Sequence, residues 1–349
     1  MKTIVYYGKD DLRLEERPIP PIGPGDVLLR VLRVGICGTD LRILHGAHRH
    51  YPPGVVRIPG HEVVGEIAAL GEGVSCWQVG QRVFVAPNIG CGHCRQCVSG
   101  NNNRCPDYSA LGITIDGAFA EYVRIPAAAL QQGNLILLDE TVDPAAAALI
   151  EPFACVLRGQ DAVAVGAGDV VLIAGAGPIG ILHTMLARVR GATRIIVSEV
   201  WGARLSLAAA VGADRTVDVT QEDLRQVVLA ESNGAGADVV IVAAPAEAAQ
   251  QRALELAALG GRVNFFGGLP KDRSIVSMDT NLIHYKELLV TGTTACSTHD
   301  CWCAAALVCS GRIDLTRLVS GTYPLERFTE AFAAAEQRSA LKIVFDPTQ

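Results

Sequence analysis

Val170-Val171-Leu172-Ile173-Ala174-Gly175-Ala176-Gly177-Pro178-Ile179-Gly180 decides how the second half of this chain is read. Five apolar, mostly β-branched residues make a short buried strand, the glycines permit a tight turn, and a helix-compatible stretch follows. The spacing Gly175-x-Gly177-x-x-Gly180 alone is weak in a chain with 36 glycines. Its position between strand and helix gives it meaning, because N–H groups at a helix N-terminus then face a pyrophosphate, with Pro178 and Ile179 in the same turn. Glu199 follows the next apolar run, Arg194-Ile195-Ile196-Val197-Ser198. An acid there hydrogen-bonds the adenosine ribose and repels a 2′-phosphate, which favours NAD over NADP. Arg204 is placed either to steady that ribose or to serve as a solvated helix charge. Gly267 and Thr293, beside later strands, complete the expected cofactor contacts.

Outward from that loop, short apolar strands alternate with Ala- and Leu-rich helices. The pattern predicts strands at 170–174, 194–198, 215–217, 238–242 and 261–265, and helices at 178–190, 201–211, 221–231 and 246–258. A last strand is expected at 288–291. This alternation is the signature of a doubly wound parallel sheet. The first 150 residues read differently, as strands between Gly and Pro turns, with runs at 27–34, 80–85 and 118–123. The helix 299–310 and the strand 342–345 are expected to return to that first domain. The division is therefore 1–155 completed by 296–349, with 156–295 between.

The chain has 349 residues, enough for two domains of ordinary size. Half of the residues are hydrophobic and 19% are charged, which excludes disorder as the main state. A formal net charge of −6 without any basic block argues against nucleic acid. Residues 170–187 carry no formal charge, but glycines and a proline interrupt them, so a strand, a turn and a helix are expected rather than a membrane span. The 11 cysteines are odd in number and clustered, in a long chain that opens without a signal-peptide pattern. A reducing cytoplasm is the expectation.

Cys91, Cys94, Cys97 and Cys105 are spaced to wrap one tetrahedral ion in a closed site. An iron–sulfur cluster uses similar ligands, and zinc is preferred. His93 stands among them as an alternative donor or an exposed side chain. A second set is dispersed: Cys37 in Gly35-Ile36-Cys37-Gly38-Thr39-Asp40, and His61-Glu62 in Gly60-His61-Glu62-Val63-Val64-Gly65. A Cys, a His and a carboxylate on separate loops suit an open zinc site, although each residue alone has an ordinary structural reading.

With these four motifs in this order, the chain resembles the zinc-containing medium-chain alcohol dehydrogenase family over essentially its whole length. The resemblance implies an α/β plus β protein, with a Rossmann domain and a GroES-like β-barrel catalytic domain whose shared cleft holds the active site. It further implies a catalytic zinc at Cys37 and His61, with Glu62 and Glu151 supplying the remaining groups, besides the structural zinc. Glu151-Pro152 is similar to the polyol and L-threonine dehydrogenase branch. Departures from that branch are Arg42, Ile43 and the run Gly292-Thr293-Thr294-Ala295-Cys296-Ser297, which count against sorbitol and L-threonine as substrates. A homo-oligomer, dimer or tetramer, is the family expectation.

The activity expected is hydride transfer from a secondary alcohol of a polyol or sugar-like substrate to NAD, giving the ketone. Zinc would stabilise the alkoxide and Thr39 would accept the alcohol proton. His45 and His48 are candidates for the exit of that proton. Asp40 is expected to cap a helix without chemical work. Cys155, Cys296, Cys301, Cys303 and Cys309 are expected to be packing thiols. Alternatives are an L-threonine-type amino-alcohol dehydrogenase, or a non-catalytic NAD-binding protein that keeps the fold; a zinc-ribbon nucleic-acid module is disfavoured by the acidic charge.

Overall fold

The computed structural model describes residues 1–337 and 340–349. The chain separates into two compact units, one of Met1–Ala154 with Cys296–Gln349 and one of Cys155–Ala295. No helix among the described residues is long and apolar enough to cross a membrane.

In the second unit a six-stranded parallel sheet runs in the order Arg215–Asp218, Arg194–Glu199, Val170–Ala174, Ala237–Val242, Ala257–Phe265, Leu289–Gly292. Strand order reverses beside Val170–Ala174, where the glycine loop leaves the sheet, so the fold places its crevice at that strand end. The sequence blurs one boundary. The helix expected to run to 258 stops at Leu256, and the strand begins immediately at Ala257. Ala257 and Ala258 are buried and continue a parallel ladder against Ala237, so tertiary pairing overrides the helical preference of alanine.

The first unit is built on a seven-stranded sheet. Its main path runs Val319–Tyr323, Lys342–Phe345, Val27–Gly35, Glu62–Leu70, Arg82–Val85, Leu135–Leu137, and Tyr122–Ile125 also pairs with Val27–Gly35. The strand expected at 118–123 is regular only from Tyr122. Residues 118 and 119 instead donate to the Gly60 and Pro59 carbonyls, and the Phe119 carbonyl accepts from Ile4. This segment therefore fastens the loop before His61 instead of extending the sheet.

Strand Lys342–Phe345 closes the arrangement. Val344 and Phe345 pair antiparallel with Gly35 and Val34 across more than 300 residues of sequence. Phe119, fully buried, meets Phe345 edge-on at 5.1 Å and Phe332 at 6.0 Å. Ring pairs of this geometry add to the burial of each ring. Replacing Phe119 by Ala is expected to cost roughly 3–5 kcal/mol of unfolding free energy, read from urea denaturation.

Candidate active site and structural metal site

Cys37 caps the short helix Gly38–Leu44, which places it at the end where the helix's orphan N–H groups lie. Asp40, in the first turn, is buried. Its Oδ2 accepts from the Cys37 backbone N–H at 2.8 Å, and its Oδ1 lies 3.6 Å from His61 Nδ1. His61 enters from the loop that starts strand Glu62–Leu70 and is 6% exposed. With Nδ1 turned to a carboxylate, Nε2 is the nitrogen left to meet a metal, the usual orientation of a ligating histidine. Asp40 caps the helix as expected, and its other oxygen also sets a negative charge beside the histidine.

Donor atoms of Cys37, His61 and Glu62 lie within 4.8 Å of one another. Burial disfavours the His61 imidazolium, but the Asp40 and Cys37 charges outweigh it and raise the imidazole well above its ordinary value. A soft thiolate, an imidazole and carboxylates around one point make an anion-rich pocket with the donor set of an open zinc site. The residues present fit that ion.

Glu62 is fully buried, and both of its oxygens accept from Lys342 Nζ at 2.6 Å. The same ammonium donates to the Ile36 carbonyl at 2.8 Å. Gly35 makes room for this carboxylate: a Cβ there would stand 2.1 Å from Glu62 Oε2. Glu151, buried near the start of helix Ile150–Asp161, lies outside the three-residue group, and its Oε1 accepts from the Cys296 thiol at 3.6 Å. Lys342 is the residue that the sequence reading missed. Its signal was a lone cation in the buried run Lys342-Ile343-Val344-Phe345.

Thr39 Oγ1 accepts from the Arg42 guanidinium at 3.1 Å. His45 is exposed, with one ring nitrogen 2.8 Å from Asp10 and the other 2.6 Å from Glu336. Both nitrogens are taken by surface carboxylates, so His45 is set aside as a proton exit. His48 accepts from the His50 N–H at 3.3 Å, and burial, helped by the Arg42 charge, pushes its pKa down to about 4. Among the thiols expected to pack, Cys296 and Cys301 are buried, 3.5 Å apart, while Cys309 is exposed and does not pack.

Cys91, Cys94, Cys97 and Cys105 bring four sulfurs within 4.8 Å. Backbone N–H groups of His93 and Cys94 lower the Cys91 thiol to about 6, while burial pushes Cys97 up to about 12. Four thiols this close cannot all ionise without a cation, and the tetrahedral S4 set fits zinc. His93 turns away, its Nδ1 2.9 Å from the Cys91 carbonyl, and is exposed.

At the glycine loop, a Cβ on Gly180 would lie 1.8 Å from the Gly175 carbonyl, so only glycine lets the helix start this close to the strand. Gly177 caps the helix and Pro178 and Ile179 open it. Glu199 accepts from Ala176 N–H at 2.9 Å and from Val200 N–H at 2.7 Å. Arg204 stacks toward the Trp201 ring at 5.9 Å and comes within 3.5 Å of the space beside Gly177. Gly267 donates to the Val242 carbonyl at 2.8 Å, and Thr293 Oγ1 accepts from Asn264 at 3.3 Å.

Residues 23–134 match the alcohol dehydrogenase GroES-like domain, and residues 178–310 match the zinc-binding dehydrogenase domain. An L-threonine 3-dehydrogenase of Thermococcus kodakarensis is 36% identical, covering 99% of this chain and 97% of that protein. Among solved structures, a Sinorhizobium meliloti 1021 protein assigned as a zinc-binding dehydrogenase, with NADP bound, superposes with a TM-score of 0.91 at 33% identity, covering 99% of both chains. An alcohol dehydrogenase from Escherichia coli CFT073 with NADH bound superposes with a TM-score of 0.90 at 30% identity, again over 99% of both chains. The chain belongs to the zinc-dependent medium-chain alcohol dehydrogenase family. It is an oxidoreductase that acts on alcohols.

Removing the Lys342 ammonium should be the most damaging single change to the catalytic region. Lys342→Met leaves Glu62 charged and buried, at an expected cost of roughly 3–5 kcal/mol in urea unfolding. Burial lowers the Lys342 pKa, but Glu62 outweighs it and raises the group above 10.5. The pair's contribution is therefore fully present below pH 10.5 and lost as pH rises through the higher folded value.

Proposed function

We propose that this enzyme oxidises a secondary alcohol of a polyol or sugar-like substrate to the ketone, with NAD as acceptor and zinc at Cys37, His61 and a carboxylate. The observation that carries this reading is the convergence of Cys37, His61 and Glu62 donor atoms within 4.8 Å, with Asp40 and Lys342 behind them. Zinc held there supplies Lewis acidity to the alcohol oxygen, and bound NAD supplies the hydride acceptor.

The chain's own residues have separable tasks. Asp40 fixes the histidine ring, and Lys342 compensates the Glu62 charge so that a full carboxylate persists in a buried position. Glu151 is the second carboxylate available to the metal. Thr39 Oγ1 takes up the alcohol proton. The Arg42 N–H occupies one of its lone pairs, leaves another to accept, and by its charge makes the Thr39 proton easier to pass on. Cys91, Cys94, Cys97 and Cys105 would hold a second zinc, which would staple their loop as a structural ion.

For the cofactor, the Glu199 carboxylate beside the glycine loop is a negative charge where a 2′-phosphate would sit, and it supports NAD. Glu199→Ala should therefore narrow the preference, raising kcat/KM with NADP and lowering it with NAD, in steady-state assays of both.

A second reading, an L-threonine-type dehydrogenase, is supported by the Thermococcus relative. The deciding experiment is NADH formation with polyols, sugar alcohols, phosphorylated polyols and L-threonine, before and after chelation. Activity that vanishes on chelation and returns with zinc is expected, and the best substrate separates the two readings. Full activity after loss of the Cys37–His61 metal would overturn both.

A further inference from the structure

The first unit contains a cavity of about 510 Å³, a size typical of small-molecule sites, lined by none of the residues proposed for zinc or cofactor. Three guanidinium groups line it, Arg17, Arg57 and Arg124, against a single carboxylate, Asp116. In a chain with a net charge of −6 this is a local reversal of sign inside a concavity. The three arginines come from distant stretches: one follows strand Asp11–Glu16, one precedes His61, and one lies on strand Tyr122–Ile125.

Their engagement differs. Arg17 pairs with Glu15 at 3.0 Å, and Arg124 approaches Asp26 only to 3.6 Å, in the open. Half-buried Arg57 has no carboxylate within ion-pair distance among the described residues. Its Nη1 donates to the carbonyls of His50 and Ile113, and its plane lies over the Tyr51 ring at 5.0 Å. Carbonyl contacts satisfy N–H groups without cancelling the charge. The Asp116 Oδ1 is already taken by the Ile58 N–H at 3.0 Å. The remaining wall is rigid and apolar, with Pro18, Pro20, Pro21 and Pro126, which carry no N–H to compete for a ligand.

We propose that this cavity binds a small organic anion, with a carboxylate or phosphate on the arginines and an apolar body against the prolines. Arg57 is the anchor, since it presents a guanidinium held by carbonyls that no carboxylate among the described residues pairs with.

The test is titration calorimetry of the full-length, zinc-loaded, NAD-saturated protein at low salt, with benzoate, phenyl phosphate and neutral benzamide as probes. Both anions should bind, and benzamide should give no measurable heat. Arg57→Gln should weaken the anions about tenfold, as expected for loss of a charge-assisted hydrogen bond. Exposed Arg124→Gln should weaken them about two- to threefold. Asp116→Asn keeps the acceptor for Ile58 while removing the competing charge, and should strengthen binding about two- to threefold. Should Arg57→Gln fail to fold, the other two variants decide. Anions that bind no tighter than benzamide, or affinities unchanged in both Arg124→Gln and Asp116→Asn, would overturn the proposal.

Discussion

A carboxylate and an ammonium buried together hold the catalytic region in shape. Glu62 has no contact with water, and Lys342 is almost as deeply placed. Removing one charge from water costs several kcal/mol, so neither position is tenable without the other. The pair also fixes local geometry. It requires glycine at position 35, it ties the Ile36 carbonyl next to Cys37, and it holds Glu62 directly after His61. Two metal-ligand candidates are thus positioned through one ion pair, and the pair acts more as a locator than as a source of stability.

The two candidate metal sites differ in how their charges are managed. At the cysteine lobe all four donors belong to one short stretch, and compensation of their negative charge would fall on a bound ion alone. At the catalytic site protein cations and anions are interleaved: Lys342 behind Glu62, Asp40 behind His61, the helix N-terminus beneath Cys37. Removal of metal should therefore disturb the lobe as a fold element, while the open site retains much of its internal pairing.

The Rossmann half was legible because its signals are local. Strand, glycine turn, helix and terminal acid lie within about thirty residues, and periodicity reports them directly. The cysteine lobe was legible for the same reason. Residues joined by long-range contact were not. Lys342 and Glu62 are 280 positions apart, and nothing in the spacing links them. Asp40 carried a sufficient local explanation as a cap, and the cap geometry is present; its second carboxylate oxygen, turned to His61, is a three-dimensional fact. His45 was open to two readings, proton exit or surface histidine, and its exposed ring between two carboxylates answers to the second. The 118–121 segment had strand composition, yet Ala118 and Phe119 proved to donate to loop carbonyls.

The return of residues 296–349 to the first unit has a consequence for biosynthesis. The second unit is continuous, so all of its strands are available as soon as residue 295 has left the ribosome. The first unit begins earlier and finishes later: Val34 and Gly35 must wait for Phe345 and Val344, and Glu62 must wait for Lys342. During elongation the older half of the chain therefore stays an incomplete sheet with an open edge and an unneutralised acid in its interior, while the younger half can already be native. Order of synthesis and order of folding run in opposite directions here, and the nascent first unit is the part that needs protection from misassociation.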